Sequence, residues 1–257
     1  MKNSVKPIKS GPFYRVFEER IELFWEDVGT FTILENGEIL VDAKAGVSNE
    51  RIEVYKSGSP YTTSLFMQGY LVMHGSCLKI DDKVCGFLGY SGMGKSTTAR
   101  AFMKHGATLL SDDFLAFKNI HESTEMLPGL AQMRLWEDAL EHFGKEGTEE
   151  VQIHPEHKKY SLKPQGKASQ EAKHLDALFI LDYGEESELI PLQGFKALEQ
   201  VFAQFKPLFY LHGKREQQSF LQLGALVNKV PVSKLVRKKG LENLDAVVEL
   251  VRASLKG

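Results

Sequence analysis

Gly89-Tyr90-Ser91-Gly92-Met93-Gly94-Lys95-Ser96 stands between an apolar β-run, Val84 to Leu88, and a helix that opens at Thr97 and runs to His105. The octapeptide satisfies the pattern G-x-x-x-x-G-K-[ST] at every fixed position. Strand, glycine-rich turn and helix in that order give the fold class: an α/β chain with a phosphate-binding loop at the C-terminal end of a strand. The residue types supply the chemistry. Glycines let successive backbone N–H groups turn toward one anion, and the N-terminus of the following helix attracts the same charge. Lys95 is expected to reach the β- and γ-phosphates of a nucleoside triphosphate, and the Ser96 hydroxyl to hold Mg²⁺. Gly89, Ser91, Gly92, Met93, Gly94, Lys95, Ser96 and Thr97 are thus the expected nucleotide-binding residues.

The surrounding chain reads as alternating elements. Before the loop, Tyr14–Phe17, Ile21–Trp25, Thr30–Leu34 and Ile39–Ala43 are short β-favouring runs separated by turn signals such as Glu35-Asn36-Gly37. They form a small β-rich N-terminal unit, residues 1–63, whose last stretch, Ser57–Thr63, reads as a loop into the main domain at 64–257. Leu71–Ile80 and Val84–Leu88 make a hairpin turning at Asp81-Asp82. After the loop helix, which a glycine cap at Gly106 ends, Ala107–Leu110 and Ala177–Leu181 are apolar strands. Leu135–Phe143 has helical period, and Lys145–Gln170 reads as a polar, mobile loop. Phe195–Phe205, Glu216–Val227 and Leu241–Leu255 read as helices, and Val232–Val236 as a strand.

Composition narrows the partners. With 32 basic and 34 acidic side chains the chain carries a formal charge of −2, which argues against nucleic acid or a membrane surface as the main partner. No apolar stretch is long enough to span a bilayer, and the polar N-terminus has no signal-like apolar core, so a cytoplasmic location is expected. Cys77 and Cys85 both fall in β-runs of one hairpin and read as buried thiols.

A phosphate loop needs a carboxylate for the metal and a group to activate the attacking atom. Two strand ends compete. Leu109-Leu110-Ser111-Asp112-Asp113 places adjacent carboxylates seventeen positions beyond Lys95. Their mutual repulsion is costly unless a cation or a shared proton offsets it, which favours this pair for the metal and base roles. Asp182, in Asp182-Tyr183-Gly184, reads as the start of a turn. His74 lies in a β-run before the hairpin, where a histidine is by default structural. His105, at the end of the loop helix, favours the helix dipole. His154 and His157 have no third ligand nearby. Arg134 is a candidate partner for a γ-phosphate or for a neighbouring carboxylate. The five basic residues in Lys229–Lys239 read as a solvated face.

Taken together, Met73-His74-Gly75, Gly89 to Ser96 and Leu110-Ser111-Asp112-Asp113 resemble the catalytic domain of the HPr kinase/phosphorylase family over roughly residues 66 to 118, in motif order and spacing. The fold core of that family is similar to that of phosphoenolpyruvate carboxykinases. The resemblance implies transfer of the γ-phosphoryl of ATP to a serine hydroxyl. It gives one aspartate of Asp112-Asp113 to Mg²⁺ with Ser96 and the other to deprotonation, without saying which; we carry Asp112 forward as the metal ligand and Asp113 as the base. It also brings His74 near the transferred phosphate, and implies a homo-oligomer by analogy. There are departures. Thr97 stands where that family has glutamate, and its Glu-Ile-Arg-Gly-Leu-Gly segment is represented here by Gln132-Met133-Arg134. These departures point away from HPr and toward the shorter homologues of ribosomal-peptide tailoring systems, lasso-peptide kinases among them. A peptide or small protein bearing a serine is therefore the expected acceptor. HPr itself, and a nucleotide-binding module or ATPase without phosphotransfer, are the alternatives.

Overall fold

The computed structural model describes residues 6–127, 133–136, 148–149, 159–162 and 173–256. They fold as two compact units, Met1–Val72 with Lys206–Ser219, and Met73–Phe205 with Phe220–Gly257. The first unit thus extends past residue 63, the boundary expected from sequence.

The first unit contains an antiparallel meander: β1 (Lys9–Gly11), β2 (Tyr14–Val16), β3 (Arg20–Trp25), β4 (Gly29–Leu34) and β5 (Ile39–Ala43), in that spatial order. Period-two alternation makes it. Ile21 lies opposite Ile33 and Leu23 opposite Phe31, and all four are buried on one face. The Glu35-Asn36-Gly37 turn forms as expected, with Gly37 at φ 86° and Asn36 Oδ1 accepting from the Glu38 N–H. Ser57–Thr63, expected as a loop, instead lies where two helices nearly meet, Asn49–Lys56 and Ser59–Met67. Pro60 suits the first turn of the second helix, where its missing N–H costs nothing. That helix buries Leu65, Phe66 and Met67.

The chain passes through β6 (Leu71–Met73) into the second unit, where β7 (Gly75–Ile80) and β8 (Lys83–Leu88) form the expected hairpin. The helix Lys95–Lys104 and β9 (Thr108–Ser111) follow. Small ladders join β10 (Leu115–Phe117) to β11 (Glu125–Met126), and β12 (Met133–Trp136) and β13 (Thr148–Glu149) to β14 (Lys159–Leu162); β15 (Lys173–His174) pairs with β11. Two sequence expectations change here. Leu135 and Trp136 are strand rather than helix, and the expected 145–170 loop contains β13 and β14; residues 137–143 and the rest of that loop lie outside the described residues. Then come β16 (Ala177–Gly184), β17 (Glu188–Leu192), the helices Gly194–Phe202 and Gly213–Lys229, β18 (Val232–Lys238) and the helix Leu244–Leu255. Asp182-Tyr183-Gly184 is therefore not a turn. Strand β16 runs on through Gly184 because β18 stays paired with it as far as Lys238.

The main sheet has the order β17-β18-β16-β8-β7-β9. β8, β16 and β18 are parallel neighbours, while β7 runs antiparallel to both β8 and β9. One edge of the sheet therefore collects the C-terminal ends of β8, β9, β16 and β18 and the N-terminal end of β7. Below that edge, Phe87, Phe102 and Phe179 meet with ring centroids 5.1 and 5.3 Å apart, in a core closed by Val247, Val248 and Val251 of the last helix. Cys77 and Cys85 are buried free thiols, as expected, and burial pushes Cys85 up to about 12.

Gly75 is fixed by packing. A Cβ there would stand 2.7 Å from the Phe87 carbonyl oxygen and 2.5 Å from Leu88 Cδ2. Gly75→Ala is expected to cost about 1–3 kcal/mol, because backbone on the paired strand must move. Urea unfolding would show this as a lowered midpoint; an unchanged midpoint would mean the β7–β8 pair opens freely.

Candidate active site

The shared sheet edge explains why residues so far apart in sequence meet. A cavity of about 460 Å³ is lined by Ser91, Gly92, Gly94, Lys95, Ser96 and Thr97 of the loop and helix, by His74, Asp112 and Asp113, and by Tyr183, Arg237, Lys238, Lys239, Gly240, Leu241 and Leu244. Gly92 and Gly94 have φ of 82° and 68°, left-handed values that open the turn at little cost only for glycine. The helix starting at Lys95 has no side-chain cap and no acidic residue in its first turn, so its N–H groups and dipole suit an anion. Lys95 is buried, and its Nζ donates to the carbonyls of Gly89 at 2.7 Å and Tyr90 at 3.0 Å.

Beside the loop lies Asp112, only 5% exposed. Its carboxylate accepts from Ser96 Oγ at 3.1 and 3.3 Å and from Ser76 Oγ at 2.5 Å. Ser76 is a member of this cluster that sequence reasoning missed; it reaches Asp112 only because β7 is inserted between β8 and β9. A carboxylate flanked by two hydroxyls is a hard oxygen set of the kind that Mg²⁺ takes alongside phosphate oxygens. Among the described residues no group of three or more His, Cys, Asp or Glu could hold a metal ion.

Asp113 turns the other way. Its backbone is left-handed, φ 78°, and its carboxyl is 43% exposed. His74 Nδ1 lies 2.9 Å from the Asp113 carbonyl oxygen and 3.6 Å from its Oδ1. A carbonyl only accepts, so this bond puts the hydrogen on Nδ1 and sets the ring's orientation. The His74 N–H is itself held by the Gln204 carbonyl at 2.9 Å.

The Lys229–Lys239 run is not a uniform solvated face. Arg237 is 3% exposed and donates to the Met93 carbonyl of the loop and to Thr98 Oγ1. Its guanidinium also lies 4.8 Å from the centre of the Tyr183 ring, on the residue it faces across the β16–β18 pair. Asp182, the competing strand-end carboxylate, is held at 3.1 Å by Lys234. Partial burial pulls its carboxyl upward, but the Lys234 bond and the Tyr183 N–H outweigh that and leave it below the ordinary carboxylate range. His105 pairs with Asp245 at 2.8 Å, consistent with a structural role. Arg134 sits on β12 opposite Ser161, and its side chain, like Gln132, His154 and His157, lies outside the described residues. No described helix is long and apolar enough to cross a membrane.

No protein-family model matches this sequence, and the search of curated proteins gives no match. Among solved structures, the Hpr(Ser) kinase/phosphatase from Coxiella burnetii is similar at a TM-score of 0.38, with 14% identity, over 71% of this chain and 89% of that one. So low a TM-score leaves the fold and the site to be argued from this chain's own residues.

Proposed function

We propose that this chain is an ATP-dependent kinase that transfers the γ-phosphoryl group to a serine hydroxyl on a peptide or small protein. The observation that supports it is the division of labour between adjacent aspartates: Asp112 faces Ser96 beside the phosphate loop, while Asp113 turns toward His74 in the same cavity. A site that only bound a nucleotide would have no use for the second carboxylate. The fold this implies is an HPr kinase-like phosphate-loop domain, in line with the resemblance over residues 66 to 118.

In this reading the loop N–H groups and Lys95 hold the phosphates. Mg²⁺, when bound by Asp112, Ser96 and the phosphates, supplies charge neutralisation for the leaving group. Asp113 takes the proton of the serine hydroxyl as its oxygen bonds to the γ-phosphorus and the bond to the β,γ-bridging oxygen breaks. His74, held by the Asp113 carbonyl, lines the wall near the transferred group. Most of the rate enhancement would be positioning and electrostatic stabilisation, because a loose transition state leaves little covalent work for side chains.

The acceptor we propose is a ribosomally made precursor peptide, on the strength of the departures at Thr97 and Gln132 from the HPr enzymes. Incubation with γ-labelled ATP and serine-bearing peptides, HPr among them, tests this. Label on peptide is the expected result. Free labelled phosphate alone would make the chain an ATPase, and neither product would leave a nucleotide-binding module.

A further inference from the structure

Arg237 is a buried cation with no carboxylate at ion-pair distance among the described residues. Its neighbours are neutral: the Met93 carbonyl, the Thr98 hydroxyl and Tyr183, which offers it both its ring face and its hydroxyl oxygen as a hydrogen-bond acceptor. The Arg237 Nε is buried and has no hydrogen-bond partner among the described residues. Asp182, the carboxylate that acts on it among the described residues, is engaged by Lys234. Burying a charge on these terms is costly, and a chain that gained nothing from it would do better with an apolar side chain of similar size.

The position of the charge says what offsets it. Arg237 lines the same cavity as Lys95 and Ser96, and a Cβ on Gly94 would lie 3.4 Å from its Nη1. Gly94 is the residue at which the phosphate loop becomes the helix. The guanidinium is thus packed against the loop from the β18 side, while its bond to Met93 holds the loop's backbone.

We infer that Arg237 is a polyphosphate-binding residue of this site, a fixed positive charge contributed by the last strand and neutralised by the phosphates of the nucleotide. The inference rests on the nucleotide reading above and adds to it a residue that is not part of the loop motif. It also has an energetic signature. A residue that only held the fold together would lower stability and affinity together when removed. A charge kept for a ligand lowers affinity while the unliganded fold keeps or gains stability.

The test uses the full chain with Arg237→Met and Arg237→Lys. Binding of MgATP and of tripolyphosphate is measured by calorimetry, and thermal midpoints are read without ligand. Arg237→Met is expected to weaken both ligands by about tenfold or more, since a charge-assisted contact to phosphate is lost, with the unliganded midpoint unchanged or raised. Arg237→Lys should recover part of the affinity for both, because the charge remains without the planar fork. Unchanged affinities in Arg237→Met would overturn the assignment, as would an unliganded midpoint that falls or a variant that does not fold. If the wild-type chain binds neither ligand, the nucleotide reading itself fails; if it binds both and Arg237→Met binds them equally well, only the Arg237 assignment does.

Discussion

Replacing Lys95 with alanine should abolish phosphate transfer and weaken MgATP binding, the largest effect expected from any single substitution here. Two separate losses combine. The first is the charge: hydrogen bonds to an ionised group contribute roughly 1.5–3 kcal/mol each, so losing this cation alone lowers affinity about ten- to a hundredfold. The second is the tether, because Lys95 Nζ bonds the carbonyls of Gly89 and Tyr90 and so ties the start of the loop to the helix that follows it. The transfer step suffers more than binding, since the charge on the moving phosphoryl group is spread over oxygens that Lys95 is placed to stabilise. Calorimetry and label transfer from γ-labelled ATP read the two losses apart. Global stability should change little, because the partners left behind are loop carbonyls beside an open cavity. A Lys95→Ala chain that phosphorylates at the wild-type rate would end the kinase reading.

The parts of this site that could be read from sequence are those encoded locally. The loop, its helix and the acidic strand end each lie within a few residues, and their geometry follows from glycine, strand and helix rules. Ser76 and Arg237 were not legible, for one physical reason. Both reach the site through strand pairing, and strand order is set by contacts between distant segments. With β7 antiparallel between β8 and β9, Ser76 arrives opposite Asp112; with β18 beside β16, Arg237 arrives against Met93. Arg237 did carry a usable signal. Reading the β18 strand two residues further would have put Arg237 on the same face as Leu235, and Leu235 is buried. A strand that stopped at Val236 would leave Arg237 on the surface, whereas β18 runs to Lys238. The different fates of Asp112 and Asp113 were invisible too, since nothing in two identical side chains announces that the second backbone is left-handed.

Asp113→Asn should leave MgATP affinity within about threefold of wild type while lowering the transfer rate by roughly 10²–10⁴-fold, the range that a positioned general base contributes. Asparagine keeps the shape and the backbone carbonyl that orients His74, and it tolerates a left-handed φ about as well as aspartate does. The substitution therefore removes the proton acceptor and little else. Asp112→Asn makes the contrast. Its carboxylate is buried and faces Ser96 and Ser76, so the amide should weaken Mg²⁺ affinity and lower binding and transfer together, with higher Mg²⁺ restoring part of the loss. Titrating Mg²⁺ at fixed ATP separates the two: a rate defect that Mg²⁺ cannot relieve belongs to the base, and one that it relieves belongs to the metal ligand. The assignments would have to be exchanged if Asp113→Asn were the variant rescued by Mg²⁺. Full transfer activity in Asp113→Asn would remove a carboxylate base from the mechanism altogether, leaving positioning and charge to carry the reaction.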